Sequence, residues 1–173
     1  MESDSTQNAE AYAAQHQLRL AERLGFGLHG IIFVAEDNSR VGKTAIKAHH
    51  SVEPYLRERD VYARLKATGV SEILGFNVPQ LIRWDDGLRV IEMSIVVRPF
   101  VLDFAGAYLD FPPEFSDQTW SEWEAEKRDQ FDRHWPKVQE ILGALEEMDI
   151  HMVDVSPTNV AFAVGSAPRG DGH

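Results

Sequence analysis

A chain of 173 residues with 28 acidic and 17 basic side chains, formal charge −11, has room for one hydrophobic core and a surface that repels nucleic acid and anionic membrane. With no cysteine, it offers neither a disulfide framework nor a thiolate metal site. The most apolar stretch, 90–109, is broken by Glu92, Arg98, Pro99 and Asp103, and the first residues are polar, so neither a membrane span nor a signal peptide is read and a cytoplasmic protein is expected.

Residues 1–15 are polar with scattered alanines and are expected to form a flexible N-terminus, at most a frayed helix. Leu18, Leu20 and Leu24 then alternate with polar residues, as in a half-buried strand. The stretch from Leu24 to Lys47 is the most informative. Gly25, Gly27 and Gly30 spell G-x-G-x-x-G, Ile32 follows two places on, and Lys47 closes a short apolar run seventeen residues after Gly30. The β-branched and aromatic run Ile31-Ile32-Phe33-Val34-Ala35 keeps the chain extended after the glycines, whereas a dinucleotide fold needs a helix to open there. Gly42-Lys43-Thr44 ends like a phosphate loop, but the opening glycine of that motif would fall at Asp37. Two strands joined by glycines, a polar hairpin over 36–40 and a third strand ending in lysine make a backbone flap that can approach phosphates closely, with an ammonium beneath it.

In this stretch the chain resembles the protein-kinase-like superfamily, with Thr44-Ala45-Ile46-Lys47 standing for Val-Ala-Ile-Lys. The resemblance implies an ATP site in which Gly25, Gly27, Gly30 and Ile32 cover the nucleotide and Lys47 holds its α and β phosphates. It also implies an α+β fold. A kinase-like N-terminal lobe over 16–104, an antiparallel five-stranded sheet plus the helix the family calls αC, would precede a truncated helical C-terminal lobe over 105–164 and a tail over 165–173.

Ser51 and Pro54 announce a helix that Gly69 can end. Tyr55, Glu58, Tyr62 and Leu65 share one face of it, so Glu58 projects among aromatic and aliphatic neighbours and needs a cation. By the resemblance Glu58 is the glutamate that pairs with Lys47; Asp60 and Glu53 are the alternative carboxylates. His49 and His50 make no metal site, because adjacent side chains diverge and no third ligand accompanies them. Asp85-Asp86-Gly87 between two apolar runs marks a hairpin. The following run, 94–103, leads to the backbone that would meet adenine in the family. Asp103-Phe104-Ala105-Gly106 superficially matches D-F-G, but it precedes the catalytic-loop candidate and carries an extra residue, so it is set aside on order.

Trp120, Trp123, Phe131, Trp135, Val138, Leu142, Leu145 and Met148 mostly recur at helical spacing and are read as core, with Pro136 dividing two helices. Asp154 and Asn159 then keep the interval of H-R-D-L-x-x-x-N. The resemblance gives Asp154 the acceptor hydroxyl and Asn159 a magnesium ion. Met152 and Val153 stand where the motif has histidine and arginine, and His151 is one place early. Asp171 lies near the distance expected for the family's second metal aspartate, after a segment without an apolar strand. Two functions stay open. One is an ATP- and magnesium-dependent phosphotransferase acting on a hydroxyl of a protein or small molecule; the other is a catalytically impaired pseudokinase serving as a binding or regulatory module. An incomplete helical lobe would expose apolar surface near the tryptophans, so self-association or a partner protein is expected.

Overall fold

The computed structural model describes residues 2–39 and 41–165. In chain order the elements are α1 (Glu2–Gln15), β1 (Leu18–Phe26), β2 (Gly30–Asp37), β3 (Lys43–His49), α2 (Val52–Ala67), β4 (Glu72–Ile73), β5 (Phe76–Asn77), β6 (Leu81–Asp85), β7 (Val90–Ser94), β8 (Phe100–Val101), β9 (Ala107–Leu109), α3 (Asp117–Phe131), a 3-10 turn (Asp132–His134), α4 (Trp135–Glu146), β10 (Ile150–Met152) and β11 (Val160–Ala161). The fold is α+β, and its main sheet is antiparallel and five-stranded in the order β1-β2-β3-β7-β6. No helix among the described residues is long and apolar enough to cross a membrane.

Alternation along β3 divides the apolar residues between two faces of this sheet. Ile46 and Ala48 join Ala35, Val90 and the α1 residues Ala9 and Tyr12 in one cluster. Ala45, with Ile91 and Met93 of β7, faces the other way, onto Tyr55, Val61, Tyr62 and Leu65 of α2. The expected flexible N-terminus is therefore corrected: α1 is a helix docked on the sheet, with Ser5, Ala9 and Tyr12 at 0% exposure. Its buried stripe is built largely of small residues, which let the helix lie close to the strands while giving little hydropathy signal. The Tyr12 hydroxyl donates to Glu92 Oε2 at 2.9 Å, and the same buried carboxylate accepts from Arg83 Nε at 2.5 Å and Thr44 Oγ1 at 2.9 Å. Tyr12→Phe is expected to lower stability by about 1.5–3 kcal/mol, because it removes a hydrogen bond to a buried charged group; urea unfolding of the two proteins measures it.

The larger cluster runs from Ala45 to Val160 and takes in Phe131, Trp135, Val138, Ile141, Leu142 and Leu145 of the helical part. The boundary expected at 104–105 thus falls inside one continuous core. Pro136 sits in the first turn of α4, where its missing N–H costs nothing. Two small sheets complete the architecture: a four-stranded one in the order β11-β8-β5-β4, in which β8 runs antiparallel to β11, and a two-stranded one in which β9 runs antiparallel to β10. Residues 102–106 link β8 to β9 and residues 153–159 link β10 to β11, so the two loops are carried side by side. This places the functional candidates.

Candidate functional site

Lys47 points from β3 into the buried face and meets two carboxylates. Its Nζ lies 2.7 Å from Glu58 Oε2 on α2 and 2.8 Å from Asp103 Oδ1 on the loop after β8. Glu58 is 1% exposed. Its Oε2 also lies 2.6 Å from His49 Nε2, and its Oε1 accepts the Phe104 backbone N–H at 3.3 Å. Phe104 packs edge-on against Tyr62, on the same face of α2, with ring centroids 5.3 Å apart. The helical spacing that singled out Glu58 was sufficient; the alternatives Glu53 and Asp60 bond to Arg57 and Arg59 instead.

Burial pushes the Glu58 carboxyl upward, but Lys47 and His49 together outweigh it and bring it down to about 2. Burial opposes the Lys47 charge in the same way, and Glu58 and Asp103 overcome it, raising Lys47 above its ordinary value. A carboxylate depressed in the folded state stabilises the fold above its unfolded value of 4.5 and loses that contribution as pH falls toward about 2. Thermal unfolding midpoints recorded from neutral to acidic pH are therefore expected to drop steeply below about pH 4.5, and the drop should be shallower in Glu58→Gln.

The three glycines differ. A Cβ on Gly30 would stand 2.5 Å from the Ala48 carbonyl oxygen on the paired strand, so the close approach of β2 to β3 requires glycine there. Gly27 has nothing within 4 Å of such an atom, and Gly25 only the Ile32 side chain at 4.0 Å; these two leave open space over the flap. Ile32 itself packs partly buried against the main core. At the flap tip His29 Nε2 comes 3.7 Å from Asp154 Oδ2, a contact between β1–β2 and the distant loop that no local spacing foreshadows.

Asn159 braces its loop. Its Nδ2 donates to the Asp154 carbonyl oxygen at 2.6 Å, and its Oδ1 accepts the Ser156 N–H at 2.7 Å. Asp154 is left with a side chain 60% exposed. The neighbouring loop presses on it: a Cβ on Gly106 would lie 2.7 Å from Asp154 Cβ.

Asp103-Phe104-Ala105-Gly106, set aside on order, is the principal correction. Asp103 bonds to Lys47, Phe104 to Glu58, and Gly106 lies against Asp154. Asp103 adopts φ 65°, a left-handed backbone that turns the chain between β8 and β9. The structure thus brings Lys47, Glu58 and Asp103 into direct contact, with Asp154 and Asn159 on the abutting loop. Asp171 lies outside the described residues. No cluster of three or more histidine, aspartate or glutamate side chains able to hold a metal occurs among the described residues. No protein-family model matches the chain, and no curated protein matches its sequence.

Proposed function

We propose that the chain is a kinase-like ATP-binding protein, acting as a small phosphotransferase that moves the ATP γ-phosphate to a hydroxyl of a protein or small molecule. The observation that carries this is the buried lysine held between carboxylates from a helix and a loop, with that loop packed on the one bearing Asp154 and Asn159. Lys47 would turn its ammonium from Asp103 to the nucleotide phosphates while Glu58 keeps it aimed. Gly25 and Gly27, with open space about them, would let the flap backbone close over the phosphates. Asp154, the exposed carboxylate, would orient the acceptor hydroxyl and take its proton.

Magnesium is ordinarily held by one or two protein oxygen ligands together with phosphate oxygens, so a protein-only cage is not needed. Asp103, itself partly exposed, and the Asn159 amide oxygen, which retains a second lone pair, are the donors that fit. Bound there, the ion would neutralise phosphate charge during transfer. In this proposal Asp103 takes the part that the resemblance gave to a downstream aspartate, so the site is assembled in permuted chain order. The strand pairs β8–β11 and β9–β10 support it, because they join the flanks of the two loops whichever comes first in sequence.

A binding module without catalysis is the second reading, favoured by the commitment of Asn159 Oδ1 to Ser156. Calorimetric titration of ATP, with and without magnesium, tests the first reading against the second. Micromolar binding that tightens with magnesium is expected, weakened at least about tenfold in Lys47→Met through loss of a charge-assisted hydrogen bond and stripped of its magnesium response in Asp103→Asn. Folded wild-type protein that does not bind ATP overturns the phosphotransferase and leaves the binding module; binding without phosphotransfer to any acceptor or to water also selects the second reading.

A further inference from the structure

We infer that His49 is a positioning residue of the phosphate site, holding Glu58 in place when Lys47 turns toward a nucleotide, and this assignment rests on the nucleotide site proposed above. His49 is 0% exposed. Its Nε2 faces Glu58 Oε2 at 2.6 Å and its Nδ1 faces the Arg89 carbonyl oxygen at 3.3 Å. Both neighbours are acceptors. A neutral imidazole donates from one nitrogen only, so engaging both requires the doubly protonated, cationic ring.

The buried charges then alternate from His49 through Glu58 and Lys47 to Asp103. In a simple lysine–glutamate pair, drawing the lysine toward a phosphate strips a buried carboxylate of its cation, which is strongly unfavourable. Glu58 does not face that penalty here, because one oxygen atom is shared by Lys47 at 2.7 Å and His49 at 2.6 Å. When Lys47 moves, His49 keeps Glu58 neutralised.

The surroundings of the ring are otherwise fixed. From α2 it meets Glu58 and the edge of Tyr55, whose ring centroid is 5.5 Å away. From the turn before β7 it meets Arg89, whose carbonyl faces the ring and whose Nε lies 3.5 Å from the His49 carbonyl oxygen. Lys47 shares Glu58 from the same strand. His50 turns away to Ser5 of α1, with Nδ1 2.8 Å from Ser5 Oγ, and takes no part. Without a donor at His49, Glu58 would be left to Lys47 alone and would draw the ammonium away from a phosphate. Nucleotide affinity should therefore fall when that donor is removed.

The test is titration of magnesium-ATP into wild type, His49→Gln and His49→Leu, with thermal unfolding of each. Glutamine keeps an N–H able to reach Glu58, and leucine does not. His49→Leu is expected to bind about tenfold more weakly than wild type, and His49→Gln to recover part of that loss. If His49→Leu does not fold, nitrogen NMR of the His49 imidazole still decides. Equal affinity in wild type and His49→Leu, or an equal loss in His49→Gln and His49→Leu, overturns the inference while leaving the nucleotide site standing. An imidazole that nitrogen NMR shows to be neutral in the free protein also overturns it. Wild-type protein that binds no ATP overturns the nucleotide site itself, and the inference with it.

Discussion

Glu58→Ala is expected to destabilise the folded chain by about 3–5 kcal/mol, the usual penalty for removing one partner of a buried ion pair. The carboxylate is 1% exposed and serves three donors, from Lys47, His49 and the Phe104 backbone. Lys47 would retain Asp103, but His49 would lose its one carboxylate partner among the described residues and the Phe104 N–H its acceptor. Urea unfolding measures the loss, and a cycle with Lys47→Met locates it. The double variant should cost less than the two single changes together, by at least about 1 kcal/mol, because the groups act on each other. An unfolding free energy within about 0.5 kcal/mol of wild type for Glu58→Ala would show that the pair is not formed.

If the chain is the phosphotransferase proposed above, Gly106→Ala should be the most damaging substitution for catalysis among residues that touch no substrate. Its new methyl would lie 2.7 Å from Asp154 Cβ and 3.2 Å from Asp154 Oδ2, so one of the two loops has to move. Overpacking of this kind costs about 1–3 kcal/mol. Displacing the carboxylate proposed to face the acceptor by about 1 Å would lower turnover about a hundredfold. ATP affinity, assigned by the proposal to the flap and Lys47, should change little, so turnover and nucleotide binding should separate. Gly143→Ala is the control: it lies within α4 with nothing within 4 Å of the added atom, and it should leave turnover unchanged. Equal turnover for wild type and Gly106→Ala would refute the packing of the two loops.

Where an element is long enough for its period to show, the residues announced it. The β-branched runs around the glycines, the helical face holding Tyr55, Glu58 and Tyr62, and the hairpin at Asp85-Asp86-Gly87 all appear where spacing put them. That Glu58 needs a cation followed from burying a carboxylate on an otherwise apolar face; that the cation is Lys47 was implied by the resemblance. Asp103 was missed because strands of two and three residues carry no period, and only their pairing with β10 and β11 shows that sequence order differs from spatial order. His49 was missed because its partner sits on another element, and the docking of α1 because alanines and a serine pack closely without looking hydrophobic. The enzymatic role proposed for these residues rests on the resemblance, not on their spacing.

The side-by-side loops also bear on how the chain assembles. Most neighbours in the main sheet are joined by tight turns, so the lysine end of the site is made of contacts that close early. The pairings of β8 with β11 and β9 with β10 must wait for α3 and α4, because those helices lie between the partners in sequence. Closing so long a loop carries an entropic cost that short hairpins escape. The Asp154 segment should therefore be the last part to dock and the first to open, and its amide protons should exchange faster than those of β2 and β3 despite the burial of Val155 and Val160.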